Sequence, residues 1–437
     1  KLLRKLIIKL FLKDLMNKKL IDNYFLVLFS LIPIALLVGS SPSLVIILLI
    51  DISFILVLIN SQKFYIFKEK SVLLILAACA YLIFNSIISQ DFSIGIKRNL
   101  GFARFLFLFI AFNYFFSNKI FMNKVLLIWT LSLLVVGIDV YIEKFTGSNI
   151  LGYGGGYYGN RIVSFFKDEP IIGGYINSFY LIIIGYLFYF YNNSSKKYKI
   201  LILYFSFFLF LSILVTGERS STVKAFFGLA IFYFINDNFK LKEKITLLIV
   251  LFCIIAGIFF NSEYLKKRFT RDFINVQKIF SITEFDPTHP EGVGSPYEIY
   301  FNLYKSGITV FKNYPILGVG NKNYRIITCT VDGGDNYPEE YVCNTHPHQI
   351  YLEFLSEHGI IGSLILFYIF FKLIFTNLKI FLKFKNYTQI GCFAYLVFTF
   401  LPFIPSGSFF NDFNLTLFFI NMSILYASSE KTNIFKH

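Results

Sequence analysis

The chain has 437 residues, of which 56% are hydrophobic and only 15% are charged, and its formal net charge is +15. A water-soluble domain carries nearer a quarter charged residues, so this composition excludes an ordinary soluble protein. The apolar residues come in blocks of about 15–21 residues, and most blocks are long enough to cross the roughly 30 Å hydrocarbon core of a bilayer as helices. The sequence therefore predicts an all-α integral membrane protein.

Twelve apolar blocks are predicted to be transmembrane helices. Their predicted bounds are 23–39, 43–60, 71–89, 100–116, 122–142, 171–191, 199–215, 222–236, 245–261, 359–376, 388–404 and 413–428. Lysines concentrate before the first span and after every second span, for example at Lys63, Lys119 and Lys196. The positive-inside rule places these segments, and with them both termini, in the cytoplasm. Most of the positive charge thus reports topology, and because no soluble segment carries a nucleic-acid-binding motif, we expect no nucleic-acid partner.

The predicted topology divides the chain into five parts. Residues 1–22 are predicted to form a basic amphipathic segment on the cytoplasmic leaflet, with no small-residue cleavage site after it that would mark a signal peptide. Residues 23–261 hold spans one to nine with short outward loops, and residues 262–358 form one large outward loop subdomain. Residues 359–428 hold spans ten to twelve, and residues 429–437 form a cytoplasmic tail.

Two arginines are predicted to lie at the outer membrane surface. Arg219 lies in the turn Thr216–Ser221 between spans seven and eight, and Arg161 lies just before span six. A guanidinium group binds a diphosphate through forked, charge-assisted hydrogen bonds, and the N-terminus of the following helix favours the same anion. We therefore predict that both arginines contact phosphate. For Arg219, pairing with the neighbouring Glu218 or with lipid headgroups is the alternative.

Other polar positions in the first half of the chain are less specific. Lys97, Arg98 and Arg104 bracket the outer end of span four against the positive-inside pattern, and we treat them as further phosphate contacts. Asp51 is the one acidic residue predicted near mid-bilayer, where ionisable residues usually serve function, although no charged partner is visible in the sequence. The glycine-rich run 153–157 follows no soluble strand and opens no soluble helix, which indicates a flexible outward loop instead of a dinucleotide site.

Two cysteines lie in the large outward loop. Cys329 and Cys343 are fourteen positions apart, and an oxidising compartment such as a periplasm favours a disulfide between them. Closing so short a loop contributes roughly 3 kcal/mol to stability. Two thiols that never meet are the alternative.

The end of the large loop carries His346 and His348 directly before a predicted helix that continues into span ten. An imidazole at this position can accept a proton from a hydroxyl nucleophile, since its ordinary pKa is about 6.5. The pair could also be interfacial histidines without a chemical role. A metal site is the third alternative, but no nearby Cys, His or Asp cluster completes a tetrahedral ligand set.

Four segments of the chain resemble motifs of the O-antigen ligase and polymerase superfamily of bacterial inner-membrane glycosyltransferases. Singly they are weak, but their order and their common predicted membrane face make them specific together. They are Arg161–Glu169 with Ser164 where the family has Gly, the turn Thr216–Ser220, the element Pro315-x-x-Gly318-x-Gly320, and His348-x-x-x-Leu352-x-x-x-x-Glu357-x-Gly359-x-x-Gly362.

The resemblance implies a function and a site. The donor would be a glycan on a polyprenyl (undecaprenyl) diphosphate at the periplasmic face of the inner membrane, and the acceptor a hydroxyl of lipid A core or of another glycan repeat. It implies no cofactor, metal or nucleotide sugar. His348 would take the acceptor's proton, and Arg219 and Arg161 would neutralise the leaving diphosphate. Further predicted contacts and supporting residues are Arg98, Lys97, Glu169, His346, Gln349 and Glu357.

Two departures from the family pattern bear on the site. Gln349 stands where the family commonly has Asn. The family often has a further loop Arg shortly before the Pro-x-x-Gly-x-Gly element, where this chain has Ser295–Glu298. A third diphosphate contact would come from another loop cation or be absent. The cations considered for it are Arg268, Arg271, Lys305, Lys312 and Arg325.

A flippase or transporter of lipid-linked oligosaccharide is the rival function, since such proteins also have about twelve spans. Transporters of this kind need buried charges along a central path and usually contain internal repeats. The sequence shows no repeat and few charges within the spans, which favours the enzyme. Ligase, polymerase and protein O-glycosyltransferase activities are not distinguished by the sequence.

Overall fold

The structure is a computed structural model that describes residues 18–154, 161–167, 169–191, 195–261, 296–329, 338 and 340–435. Most of the predicted amphipathic segment, the centre of the glycine-rich run, and residues 262–295 of the large loop with Arg268 and Arg271 lie outside these ranges. Within them the regular secondary structure is helical throughout.

The first half of the chain forms an antiparallel series of apolar helices. They are α1 (Lys18–Val38), α2 (Ser40–Ser61), a 3₁₀ turn (Phe64–Lys68), α3 (Lys70–Ile87), α4 (Phe92–Gly101), α5 (Ala103–Phe116), α6 (Lys119–Thr146), a 3₁₀ turn (Ser164–Phe166), α7 (Ile172–Phe190), α8 (Lys196–Val215), α9 (Arg219–Ile235) and α10 (Leu241–Asn261).

The second half contains the described part of the large loop and the last apolar helices. They are α11 (Pro296–Asn313), α12 (Tyr324–Thr328), α13 (Ile350–Phe375), α14 (Leu378–Phe384), α15 (Tyr387–Thr399) and α16 (Asp412–Ala427). The sequence predicts a helix directly after His348 that continues into span ten, and α13 begins at Ile350. Gly359 interrupts α13 with φ +63°, so the predicted start of span ten coincides with this break.

Eight helical stretches among the described residues are long and apolar enough to cross a membrane. They are α1, α2, α3, α4 with α5, α6, α7, α8, and α13 with α14. The predicted spans 222–236, 245–261, 388–404 and 413–428 also coincide with helices, but α9, α15 and α16 have only 17, 13 and 16 residues. Pro402 explains the early end of α15, because the residue before a proline disfavours helical geometry. The membrane-protein class is confirmed, and the count of twelve stays a prediction.

Helix α7 lies at the centre of the bundle and contacts α6, α8, α9 and α15. Two glycines let α7 and α15 approach backbone to backbone. A Cβ atom added at Gly185 would overlap the Tyr387 carbonyl, and one added at Gly391 would overlap the Leu181 carbonyl. Small residues at such crossings allow the close packing that holds helices together in lipid.

Helix α16 fills the space between α5, α7 and α15. Phe105 of α5 stacks on Phe419 of α16 with ring centroids 4.9 Å apart. One end of this layer, formed by the segment 400–411 between α15 and α16, contacts the N-terminal part of α13 and positions the site described next.

Candidate active site

Two of the predicted motifs pair with each other through their backbones. The Val319 N–H donates to the Ser356 carbonyl at 3.0 Å, and the Gly320 N–H donates to the Glu357 carbonyl at 2.9 Å. On the other side of the break in α13, the Ile360 N–H donates to the Pro315 carbonyl at 2.8 Å. The glycines of the Pro-x-x-Gly-x-Gly element therefore serve close approach, because a Cβ atom at Gly318 or Gly359 would overlap the facing backbone.

Asparagines and a serine attach this motif pair to α3 and α4. The Asn321 N–H donates to Asn85 Oδ1 at 2.7 Å, and the Asp91 N–H donates to Asn323 Oδ1 at 2.6 Å. Asn99 of α4 in turn donates to the Ser86 hydroxyl at 2.7 Å. The described part of the large loop is thus held by the helical bundle at one end of the molecule.

His348 lies two residues before α13, and its side chain is half-buried. Its backbone is left-handed, with φ +54°, and its carbonyl accepts a hydrogen bond from the Ser406 N–H at 2.8 Å. Its ring lies 4.0 Å from the His346 ring and 5.9 Å from the Tyr300 ring, measured between centroids. Burial lowers the pKa of His348, and the negative charge of Glu353 opposes that shift. A neutral imidazole at neutral pH is the form that can accept a proton.

His346 is more deeply buried than His348, at 7% exposure. Its Nδ1 lies 2.8 Å from the Thr345 hydroxyl. Burial lowers the pKa of His346 to about 4, and the charge of Glu353 acts in the opposite direction. His346 therefore stays neutral over the physiological pH range, and its ring packs against the ring of His348.

Gln349 and Glu357 have structural positions in α13. Gln349 is the N-cap residue, and its side-chain oxygen accepts from the Leu352 N–H at 2.8 Å. A helix N-terminus needs such an acceptor because its first N–H groups lack partners within the helix. Glu357 is fully buried, and the Lys322 and Tyr324 N–H groups face its carboxyl group. The Gln349 cap fixes the first turn of α13, directly after His348.

The structure adds two charged residues that the sequence analysis did not single out. Lys322 Nζ lies 3.6 Å from Glu353 Oε1 and donates to the Ser408 hydroxyl. Glu353 is fully buried and also accepts from the Ser408 hydroxyl and from the Phe409 N–H, the latter at 2.8 Å. Lys322 lies two residues after Gly320, so its place at the end of a predicted motif was the available signal.

The turn Thr216–Ser221, which is called the arginine turn below, is joined to the N-terminus of α7 by Glu218. The carboxylate of Glu218 accepts from the Gly173 N–H at 2.5 Å, from the Gly174 N–H at 2.9 Å and from the Ser221 hydroxyl at 2.9 Å. Burial raises the pKa of Glu218, while these hydrogen bonds and the charge of Arg161 act in the opposite direction. Glu218 thus brings the Arg161 segment and the Arg219 turn to one place, with Arg219 as the first residue of α9.

Two acids of α6 hold the segment that follows Arg161. Glu143 accepts from the Val163 N–H at 3.1 Å and from the Ser164 N–H at 2.6 Å, and Asp139 accepts from the Ser164 hydroxyl. Ser164 has φ +49°, a conformation that glycine adopts without strain. This explains why the family motif has glycine there. Glu169 is exposed in the turn that leads into α7.

The cations of α4 and α5 meet an acid of α16. Arg98 forms an ion pair with Asp412, and Arg104 pairs with the same carboxylate at 2.6 Å. Arg98 remains half exposed, while the Arg104 side chain is 12% exposed. Lys97 is exposed on α4. The first role of Arg98 and Arg104 is therefore to tie α4 and α5 to α16, and phosphate contact by Arg98 or Lys97 stays a prediction.

A chain of contacts connects the arginine turn with the histidines. Phe166, in the segment held by Glu143, packs on Phe413 of α16 with ring centroids 5.6 Å apart. Phe413 follows Asp412, and the adjacent Asn414 donates to the Ser408 carbonyl at 2.8 Å. Ser408 in turn contacts Glu353, whose charge acts on His348. The two groups therefore share one end of the bundle, and their convergence on a single cavity stays a prediction.

Several other predictions have a place in the structure. Cys329 and Cys343 are joined in a disulfide, with Cα atoms 4.4 Å apart. Lys305, considered as a third phosphate contact, lies 3.9 Å from Glu340. Asp51 is buried at 3% exposure inside α2. The described ranges contain no group of three His, Cys, Asp or Glu side chains arranged to hold a metal ion.

Comparison with known proteins agrees with the motifs assigned from the sequence. Residues 204–367 match the family model described as O-antigen ligase, and this range contains Arg219, the Pro-x-x-Gly-x-Gly element and His348. No curated protein matches the chain. The family match, together with the ordered motifs and the all-helical apolar fold, supports the assignment of the chain to the O-antigen ligase and polymerase superfamily.

Proposed function

We propose that the protein is a glycosyltransferase of the inner membrane that transfers a glycan from a polyprenyl diphosphate to an acceptor hydroxyl on the periplasmic side. Its superfamily assigns it a role of ligase or polymerase type in surface polysaccharide assembly. The acceptor is lipid A core for a ligase and a growing glycan repeat for a polymerase. The observation that carries the proposal is the half-buried His348 at the start of α13, inside the matched family domain.

The reaction follows from the chemistry of the two residue groups. His348 accepts the proton of the acceptor hydroxyl while that oxygen attacks the anomeric carbon of the donor sugar. The bond between the anomeric carbon and the diphosphate oxygen breaks, and the polyprenyl diphosphate leaves with the electron pair. Attack from the face opposite the leaving group inverts the anomeric configuration. The proton on His348 then passes to water, which restores the neutral imidazole.

The cations stabilise the charge that develops on the departing diphosphate. Glu218 directly precedes Arg219, feels the charge of Arg161 and accepts from the N-terminus of α7, which supports a common place for the two arginines. Fixed positive charge in a site with little water stabilises a developing anion far better than the same charge does in bulk water. The proposal therefore gives the arginines leaving-group stabilisation and gives His348 acceptor activation.

The test is glycan transfer by purified protein in nanodiscs. The substrates are a polyprenyl-diphosphate-linked glycan and, in separate reactions, lipid A core or a second portion of the same lipid-linked glycan. Transfer to lipid A core supports a ligase, and chain growth without core supports a polymerase. Movement of intact lipid-linked glycan across liposomes without transfer to either acceptor would contradict the enzyme and support a flippase. If the H348A variant transferred glycan at the wild-type rate, the assignment of His348 as the base would be wrong.

A further inference from the structure

Glu353 forms a closed hydrogen-bonding network one turn into α13. Its Oε2 accepts from the Phe409 N–H at 2.8 Å, and its Oε1 accepts from the Ser408 hydroxyl and lies 3.6 Å from Lys322 Nζ. Lys322 also donates to Ser408, so the cation, the hydroxyl and the carboxylate contact one another. The side chain of Glu353 is fully buried and that of Lys322 is 13% exposed. A buried charge of this kind is stable only when it is paired and hydrogen-bonded, as Glu353 is.

This network reaches His348 through the backbone. Phe409 and Ser408 belong to the same short segment as Ser406, whose N–H donates to the His348 carbonyl. That bond supports the left-handed conformation of His348, which residues with a Cβ atom rarely adopt. Glu353 therefore holds the segment that holds the backbone of the base.

The network also acts on His348 electrostatically, through the charge of Glu353. Two rings lie against the His348 imidazole: the Tyr300 ring from α11 and the His346 ring from the preceding loop. The segment 400–411 contains no charged residue. The charge that acts on the His348 imidazole comes from Glu353 of α13, and Lys322 lies against the same carboxylate.

We propose that Glu353 is the positioning residue of the base His348, which it orients through the segment 406–409 and stabilises electrostatically once His348 carries a proton. The inference rests on the proposed function, because it gives Glu353 a part in acceptor activation. Lys322 has the companion role of fixing the carboxylate and limiting its effect on the imidazole. Neither residue needs to touch the substrate for this.

The experiment compares E353Q with the wild-type full-length protein. Glutamine keeps the shape and an acceptor for the Phe409 N–H but removes the charge. The first measurement is carbethoxylation of His348 by diethyl pyrocarbonate across pH, followed by peptide mass spectrometry. This reagent modifies the neutral imidazole, so the midpoint reports the pKa of His348 without any turnover. We expect the E353Q midpoint to fall by about one pH unit, because loss of a nearby opposite charge destabilises the imidazolium.

The second measurement is the pH profile of kcat/KM for glycan transfer. The acid limb of E353Q should move to lower pH in step with the carbethoxylation midpoint, and kcat should fall while KM for the donor changes little. E353D, which keeps the charge, should retain the wild-type midpoint. The matched control is E340Q, which removes the carboxylate of the exposed Lys305–Glu340 pair in the same loop and should leave both profiles unchanged.

A second variant, in which the His348 midpoint should shift in the opposite direction, keeps the test decisive if E353Q does not fold. K322M leaves the carboxylate charged but removes the cation that offsets it, so the His348 midpoint should rise. An unchanged midpoint in E353Q, or an unchanged or lower midpoint in K322M, would overturn the positioning role. If the wild-type protein transfers no glycan, the proposed function fails, while the carbethoxylation midpoints still decide whether Glu353 acts on His348.

Discussion

The contact between Glu218 and the N-terminus of α7 offers a direct test of how the arginine turn is held. The perturbation is E218A, which removes the acceptor for the Gly173 N–H, the Gly174 N–H and the Ser221 hydroxyl. Glu218 is only 8% exposed, so water cannot readily replace the carboxylate. The turn should then separate from α7, and Arg219 should lose its position.

The magnitude follows from the two backbone groups that lose their partner. Each buried N–H left without an acceptor costs about 1–3 kcal/mol, so E218A should destabilise the protein by about 2–6 kcal/mol. E218Q keeps one acceptor oxygen, since an amide presents one carbonyl and one NH₂ group. It can satisfy one of the two N–H groups, so we expect roughly half of the effect of E218A.

The assay pairs unfolding of the purified protein in detergent with glycan transfer. E218A should unfold at lower denaturant than E218Q, and E218Q at lower denaturant than the wild type. E218A should also raise KM for the lipid-linked donor. The matched control is E243A, because Glu243 accepts the Lys240 N–H at 2.7 Å in an exposed position where water can substitute. Wild-type stability in E218A, or equal losses in E218A and E243A, would refute the reasoning.

Three further predictions concern the base, the loop and the helix crossing. H348A should lower transfer by about 10²–10⁴-fold with little change in unfolding. Because burial lowers the pKa of His348, wild-type kcat/KM should be lost as pH falls through a midpoint below 6.5, and a midpoint above 6.5 would contradict the assignment. Replacing Cys329 and Cys343 together by Ser should destabilise the outer loop by roughly 3 kcal/mol, seen as faster limited proteolysis, and unchanged proteolysis would contradict this. G391A should destabilise by at least about 1–3 kcal/mol through overlap between α7 and α15, whereas G257A, where an added Cβ meets no atom within 4 Å, should unfold no more easily than the wild type.

Much of the fold was predictable because the lipid environment imposes a simple pattern. Apolar blocks become helices, since the backbone polar groups have no other partner in hydrocarbon. The lengths of the late helices were not predictable from apolarity alone. Pro402 ends α15 early, and Gly359 breaks α13 by packing against the backbone near Ile316.

Candidate site residues could be predicted where they belong to sequence motifs. They could not be predicted where their contacts join residues that are far apart along the chain. His348 and the two arginines are proposed from their residue types and their order along the chain. Glu353 and Lys322 escaped because they are 31 positions apart and are joined only by folding. Glu218 was considered only as a partner for its neighbour Arg219, while its hydrogen bonds run to Gly173 and Gly174, more than forty residues earlier.

The short helices α15 and α16 have a consequence for the membrane around the site. Their near ends are level, because Asn386 donates to the Ser428 carbonyl at 3.1 Å. From there 13 and 16 residues rise only about 20 and 24 Å, against a hydrocarbon core of about 30 Å. If those ends lie at the cytoplasmic boundary, the segment 400–411 sits several Å inside the opposite boundary. Under the proposed function, local thinning of the bilayer there would let the lipid-linked donor meet His348 without its polyprenyl chain leaving the hydrocarbon.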